Sequence, residues 1–242
     1  MRKVKFKKGG IYHIYNRGVE KRTIFNSEAD MWRFLQGMYL FNDKNISCSV
    51  LYSIEKENKG RINFNLLKEF IDKNIEERKP LVRIMADCLM PNHYHLLLEE
   101  IQDDGISNFM HRLGTGYVNY FNKKYNRVGS LFQGRFKAVA IKNDVQLTQI
   151  LSYINVVNPG ELVKPGLKEE GVKNMEELKE ILEFSKNYSF STNPDYLGIR
   201  ESIIIDKGIY GEFFPNSDKY KEFIKNALLG RGGNMTESLL LE

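Results

Sequence analysis

Two histidines separated by one bulky residue, His93-Tyr94-His95, stand in the segment 87–100, DCLMPNHYHLLLEE. Residues i and i+2 of a β-strand point to the same face. Two imidazoles set that way can grip one divalent metal ion. The flanks are those of a hairpin. Val82 to Met90 is mostly apolar, Leu96 to Leu98 resumes an apolar run, and Met90-Pro91-Asn92 breaks the two as a turn does. Pro presets φ there and Asn tolerates turn geometry. Two histidines alone are not a site, because a metal needs further donors and something to act on.

A reacting group is available on a helix expected to open at Asn143, where Asn143 and Gln146 resemble a capping box. Its apolar face carries Leu147, Ile150, Leu151, Ile154 and Val157, and Asn158-Pro159-Gly160 ends it, since the residue before Pro avoids the α region. Tyr153 lies at the border of that stripe, beside Gln149 and Gln146. A border tyrosine can turn its hydroxyl into a cleft while its ring stays packed. Taken singly, such a tyrosine is more often an amphipathic core residue.

The net charge is +5, and its distribution is uneven. From Gly105 to Asn143 there is no Asp or Glu, while Arg112, Lys123, Lys124, Arg127, Arg135, Lys137 and Lys142 lie in the same span with Tyr117, Tyr120, Phe121, Tyr125, Phe132 and Phe136. Cations neutralise phosphates and flat rings stack on exposed bases. The span therefore reads either as a nucleic-acid face or as a solvated basic helix whose aromatics point inward. Arg135 and Lys137, next to Gly134, are placed to hold phosphates.

The elements that must position these groups emerge from periodicity. Ile11 to Asn16 alternates as a strand. Ser27 precedes a helix with Met31, Phe34, Leu35, Met38 and Phe41 at three- and four-residue spacing. Residues 42–80 are less regular, with a short strand expected over Ser49 to Ile54 and a helix over Phe64 to Ile75. Val82 to Met90 and His93 to Glu100 form the hairpin. A helix is expected from Ser107 to Tyr125, in which Gly114 and Gly116 mark a kink or a close backbone approach, and a strand from Phe136 to Ile141. With 42–80 set aside as an insertion, the order is strand, helix, strand, strand, helix, strand. That is an α+β, ferredoxin-like split βαβ arrangement, an antiparallel sheet with helices on one face. Residues 1–160 are expected to be this domain. Residues 161–242 are a mostly helical C-terminal extension packing on the core, with apolar clusters at Ile203–Ile205, Phe213-Phe214 and Phe223-Ile224 and a frayed tail from Gly230.

A chain of 242 residues, 42% hydrophobic and 28% charged, is in the range of soluble globular proteins. No apolar stretch approaches the ~18 residues of a spanning helix, so no membrane partner is expected. The basic N-terminus lacks the apolar run of a secretion signal. Cys48 and Cys88 are isolated, which fits a reducing cytoplasm and excludes a cysteine-based zinc site.

Several segments together resemble a known family. MPNHYHLLLE is similar to the HUH motif (histidine, bulky hydrophobic, histidine) of single-tyrosine transposases. Tyr12 to Arg17 (YHIYNR), Gly129 to Lys137 (GSLFQGRFK) and Ser152 to Pro159 (SYINVVNP) resemble the branch called REP-associated tyrosine transposases. The resemblance spans roughly residues 10–160 and implies the same ferredoxin-like core. It implies that Tyr153 is the nucleophile, attacking a DNA phosphodiester to give a 5′-phosphotyrosine and a free 3′-OH. His93 and His95 are implied as metal ligands, with Mg²⁺ or Mn²⁺ favoured over zinc because phosphate and water oxygens complete the shell. The implied partner is single-stranded or hairpin DNA, and Arg112, Lys123, Lys124, Arg127, Arg135 and Lys137 of the acid-free span are the residues expected to bind it. The implied state is monomer or homodimer.

One position departs from the family pattern. A polar residue four places after the tyrosine supplies its third metal contact, and here that place is Val157. Asn158 comes one residue later, and on a regular helix it points about 140° away from Tyr153. Either the helix loosens before Pro159 and lets Asn158 swing in, or another group, Gln149 first, completes the site. Two alternatives stay open: a nickase like those of replication initiators or relaxases, and a non-catalytic hairpin-binding module that has lost turnover.

Overall fold

A computed structural model of the chain describes residues 4–230. The tail expected from Gly230 onward lies, past that residue, outside the described residues. Strands β1 (Ile11–Arg17), β2 (Val82–Met90), β3 (His93–Glu100) and β4 (Lys137–Ala140) form one antiparallel sheet in the order β2-β3-β1-β4. Helix α1 (Glu28–Phe41) comes after β1, and α4 (Gly105–Lys124) after β3. This is the α+β, ferredoxin-like split βαβ order. Helices α2 (Val50–Glu57) and α3 (Phe64–Asn74) lie between α1 and β2.

The strand expected over Ser49 to Ile54 is helix α2 instead. Leu51 and Ile54, three residues apart, are the two it buries, so the helical period prevails over a short apolar run that could also be read as extended.

The β2–β3 turn is as tight as Pro91 and Asn92 allow, with Met90 paired to His93 across it. Alternation along the strands then sorts side chains to two faces. Tyr12, Ile14, Tyr94, Leu96 and Leu98 pack with Phe34, Met38, Phe109, Leu113 and Tyr117 of α1 and α4. Gly116 is a close approach, because a Cβ there would stand 2.8 Å from the Phe41 ring; at Gly114 a Cβ would meet nothing within 4 Å.

The opposite face carries Leu97 and Cys88 and is covered by α5 (Asp144–Ser152) and the C-terminal helices. A π-helical turn (Tyr153–Val157) leads from α5 into α6 (Asn158–Gly160), α7 (Leu167–Glu170), α8 (Met175–Asn187), α9 (Asn193–Tyr196), α10 (Tyr210–Phe213) and α11 (Ser217–Leu229). Leu178, Ile181, Tyr196, Tyr210, Tyr220, Ile224 and Leu228 share one core with Leu151, Ile154 and Val157. Residues 190–192 also cover the outer edge of β2, with Leu89 N–H bonded to the Phe190 carbonyl at 2.8 Å and Thr192 N–H to that of Asp87 at 3.0 Å. An edge strand so covered cannot pair with another chain.

Candidate active site

The alternation of β3 puts His93 and His95 on one face, their ring centroids 5.1 Å apart, and sends Tyr94 into the core against Phe34 and Phe132. Tyr94 thus anchors the strand that presents the two imidazoles. Burial raises its hydroxyl well above the ordinary tyrosine range.

Both histidines are held through Nδ1. The Asn92 side chain donates from Nδ2 to the Lys21 carbonyl at 3.2 Å, which aims its Oδ1 at His93 Nδ1, 2.6 Å away. An acceptor there places the His93 proton on Nδ1 and leaves the Nε2 lone pair as the ligating atom. His95 Nδ1 lies 2.8 Å from Nε2 of His13 on the neighbouring strand. His13 is fully buried, and Tyr15 stacks on it at 4.9 Å and on His95 at 5.8 Å.

Tyr153 stands edge-on to His95, with ring centroids 5.3 Å apart, and 6.3 Å from His13. It is 1% exposed, and Lys168 of α7 lies over its ring at 5.2 Å. Tyr153 also opens the π-helical turn. The Asn158 N–H reaches the Tyr153 carbonyl, so residue 158 takes the place above Tyr153 that residue 157 takes in an α-helix. The Asn158 side chain is wholly buried, and neither its Oδ1 nor its Nδ2 has a hydrogen-bond partner among the described residues. Val157 packs in the core. Gln149 is half-buried one turn before Tyr153, and its carbonyl accepts from the Ser152 hydroxyl at 2.9 Å.

A cavity of about 460 Å³ opens on His93 and His95 and is lined also by Tyr15, Arg17, Lys21, Arg135 and Lys137. No Asp or Glu of the described residues lines it, so its field favours an anion. The loop before β4 is fixed there by Asn16 Nδ2 on the Gly134 carbonyl at 3.0 Å and Arg17 Nε on Gln133 Oε1 at 2.6 Å.

The other cations singled out in the sequence do not line this cavity. Arg112 donates to the carbonyls of Asp43 and Lys44, Lys123 to the Tyr52 hydroxyl at 2.9 Å, and Arg127 to Asn122 Oδ1 at 3.0 Å. Lys124 pairs with buried Asp30 at 2.7 Å. Tyr117 is core, its hydroxyl on the Ile24 carbonyl at 2.5 Å, and Tyr120 bonds Asp30 at 2.9 Å. The aromatics of α4 therefore face inward. Sequence reading takes His13, on an alternating strand and without a partner at metal spacing, as structural, and it does not single out Arg17, Lys21 or Asn92 as site residues. The signal for His13 was the strand period, which puts it on one face with Tyr15; the pairing of Tyr15 with His95 was needed to complete it.

A family model described as Transposase IS200 like matches residues 54–156, from within α2 to the π-helical turn. Among solved structures, a REP-associated tyrosine transposase bound to a REP hairpin is 12% identical with a TM-score of 0.46, over 85% of this chain and 96% of that one. The tRNA(His) guanylyltransferase of Saccharomyces cerevisiae is 13% identical with a TM-score of 0.29, over 72% of each chain. At those scores neither structure carries an argument about this one. No protein of curated function matches. Over residues 54–156 the chain is similar to the IS200-like transposase family.

Proposed function

We propose that the protein cuts and rejoins single-stranded DNA beside hairpins through Tyr153. The observation that carries this reading is the packing of Tyr153 on His95, which with His93 lines a cavity that also holds four cations and, among the described residues, no carboxylate. In the step envisaged, the Tyr153 Oη–phosphorus bond forms as the phosphorus–O3′ bond breaks. The phenolic proton leaves to solvent, the 3′ oxygen takes up a proton, and the 5′ end stays on the protein. A phosphotyrosine keeps the phosphodiester's energy for rejoining, so one exchange becomes two reversible steps. Arg17, Lys21, Arg135 and Lys137 would hold the flanking phosphates.

The residues fit a divalent cation. Nε2 of His93 is set for ligation by its Asn92 bond. Nε2 of His95 is set likewise when His95 Nδ1–H donates to His13, and Asn158 has a buried amide that no described residue satisfies. Among the described residues no three His, Cys, Asp or Glu side chains form a metal cluster, so an amide oxygen and oxygens of phosphate and water would supply the remaining donors. Such a donor set suits Mg²⁺ or Mn²⁺. When bound, the ion would polarise the scissile phosphate and stabilise its developing charge, which matters for a nucleophile whose free pKa is about 10.

The burial of Tyr153 beneath Lys168 favours a second reading, a hairpin-binding module without turnover. One experiment separates them. The full chain is incubated with Mn²⁺ and labelled single strands containing hairpins, then run on a denaturing gel. A covalent adduct that disappears in Tyr153→Phe and His95→Ala is the expected result. Binding with no adduct across varied hairpins and metals would leave only the binding module.

A further inference from the structure

On the far side of the sheet from the histidines lies a second cavity, of about 800 Å³, walled by α1, α4 and the α2 segment inserted between α1 and β2. Its size is within the range of small-ligand sites. Its floor is apolar and includes Phe41 and Leu51, and its depth depends on Gly116, where a Cβ would run into the Phe41 ring. Tyr120 forms one wall and half-exposed Tyr52 stands at the mouth.

Cations of unequal standing line it. Lys124 is taken up by Asp30 and does not count toward a ligand. Arg33 is 6% exposed, ion-paired through Nη2 to Glu55 at 3.2 Å, and lies over the Tyr120 ring at 5.0 Å. Its Nη1 is buried and has no hydrogen-bond acceptor among the described residues. Lys56 has no carboxylate within ion-pair distance among the described residues. Lys123 meets the Tyr52 hydroxyl, its ammonium 4.4 Å from that ring's centroid. Glu55 is the one carboxylate in the lining among the described residues, and Arg33 neutralises it. What remains is a surplus of positive charge at the mouth, above walls that include Phe41, Leu51 and Tyr120.

The geometry points to a second binding site, separate from the histidine cavity, for a flat ring that carries a phosphate, that is, a nucleotide. The phosphate would sit with Lys56 and Lys123, and the base would stack on Tyr52. Base–aromatic stacking is tolerant of base identity, so all four nucleotides are expected to enter. The nucleotide can arrive free or as a unit of a strand, and the chemistry is the same for both.

The test uses the full chain in EDTA, so that metal-dependent cleavage plays no part. Binding of each deoxynucleoside monophosphate is measured by calorimetry, and of a labelled four-nucleotide single strand by anisotropy. Three proteins are compared: the parent, Tyr52→Ala combined with Lys123→Glu, and Arg135→Ala combined with Lys137→Ala. Tyr52 and Lys123 both reach solvent, so their variant is expected to fold, and circular dichroism checks it. Weakening of about tenfold or more in the Tyr52/Lys123 variant alone, for monophosphates and strand, gives a nucleotide site. Weakening there for the strand only assigns the site to a strand unit. No binding of either probe, or binding that falls only in the Arg135/Lys137 variant, overturns the proposal and leaves the reading of the histidine cavity untouched.

Discussion

Nε2 of His13 on β1 lies 2.8 Å from Nδ1 of His95 on β3, both rings buried on the sheet face that Tyr153 covers. Register explains the meeting. Tyr15 is the partner opposite His95 and His13 the partner opposite Leu97, so His13 reaches His95 on the diagonal. Such diagonal neighbours lie within reach of long and aromatic side chains. The bond fixes the plane of the His95 ring, and it couples the tautomers of the two rings.

If His95 ligates a metal through Nε2, its Nδ1 must donate and His13 must accept. His13→Ala removes the acceptor and is expected to weaken Mn²⁺ binding by roughly 10–100-fold, the usual cost of losing a group that orients a ligand. His13→Gln, whose amide oxygen can still accept, should recover much of that loss. Mn²⁺ affinity measured by electron paramagnetic resonance reads both without any turnover. Equal affinity in His13→Ala and the parent would show that His13 only fills space.

Asn158 offers a trade between stability and binding. A buried amide without hydrogen bonds costs about 1–3 kcal/mol, and no described residue offsets it at this site. Asn158→Leu, similar in size, should therefore raise the thermal midpoint of the metal-free protein while weakening Mn²⁺ binding. A lower midpoint with unchanged Mn²⁺ affinity would make Asn158 an ordinary structural residue. The same titration on Gln149→Ala tells the two candidate donors apart.

The sheet, its order and the histidine hairpin were legible because each rests on local pattern: alternation in β1, Pro91-Asn92 at a tight turn, and helical spacing in α1, α4 and α5. The π-helical turn was not, because nothing in Tyr153 to Val157 distinguishes an i→i+4 from an i→i+5 bond. It is the tertiary packing of α5 and α6 on both sides that tolerates one extra residue. The loosening before Pro159 was one of two options the sequence left open. The basic span was legible as a composition but not as a surface. Lys124 belongs to Asp30, a residue 94 positions earlier, and a pair that distant in sequence leaves no local trace. Arg17 and Lys21 were invisible for the same reason, since only folding brings the end of β1 beside Arg135 and Lys137.

The cavity cations make a prediction about salt. Each phosphate neutralised on a single strand contributes about 0.7 to the slope of log K against log salt. Arg135→Ala combined with Lys137→Ala should therefore flatten that slope by roughly 1.4 for a hairpin with a single-stranded flank. Arg112→Ala, whose guanidinium is engaged with the carbonyls of Asp43 and Lys44, should leave the slope nearly unchanged. A reversed ranking of the two variants would move the strand from the histidine cavity to α4.

Asp30 gives a pH-dependent prediction for the fold itself. It is fully buried and accepts from Lys124, from the hydroxyls of Tyr120 and Tyr125, and from the backbone N–H groups of Asn26 and Ser27 at the start of α1. Burial pushes its carboxyl upward, but the bonds to Lys124, Tyr125 and Tyr120 outweigh burial and hold it below the ordinary aspartate value. A depressed carboxylate adds stability that is fully present above the unfolded pKa, about 3.9, and is lost as pH falls through the lower folded value. Asp30→Asn keeps the shape and removes the charge that Lys124 and the helix start require. Its cost is expected to be roughly 3 kcal/mol, the low end for taking one partner from a buried pair. Urea unfolding at pH 7 measures that cost, and repeating it downward in pH supplies the check. The gap between parent and variant should stay constant from about pH 8 to pH 5 and begin to narrow below about pH 4, as the pH falls toward the depressed folded value. A gap that instead widens on acidification would mean that the Asp30 carboxyl is held above, not below, its unfolded value.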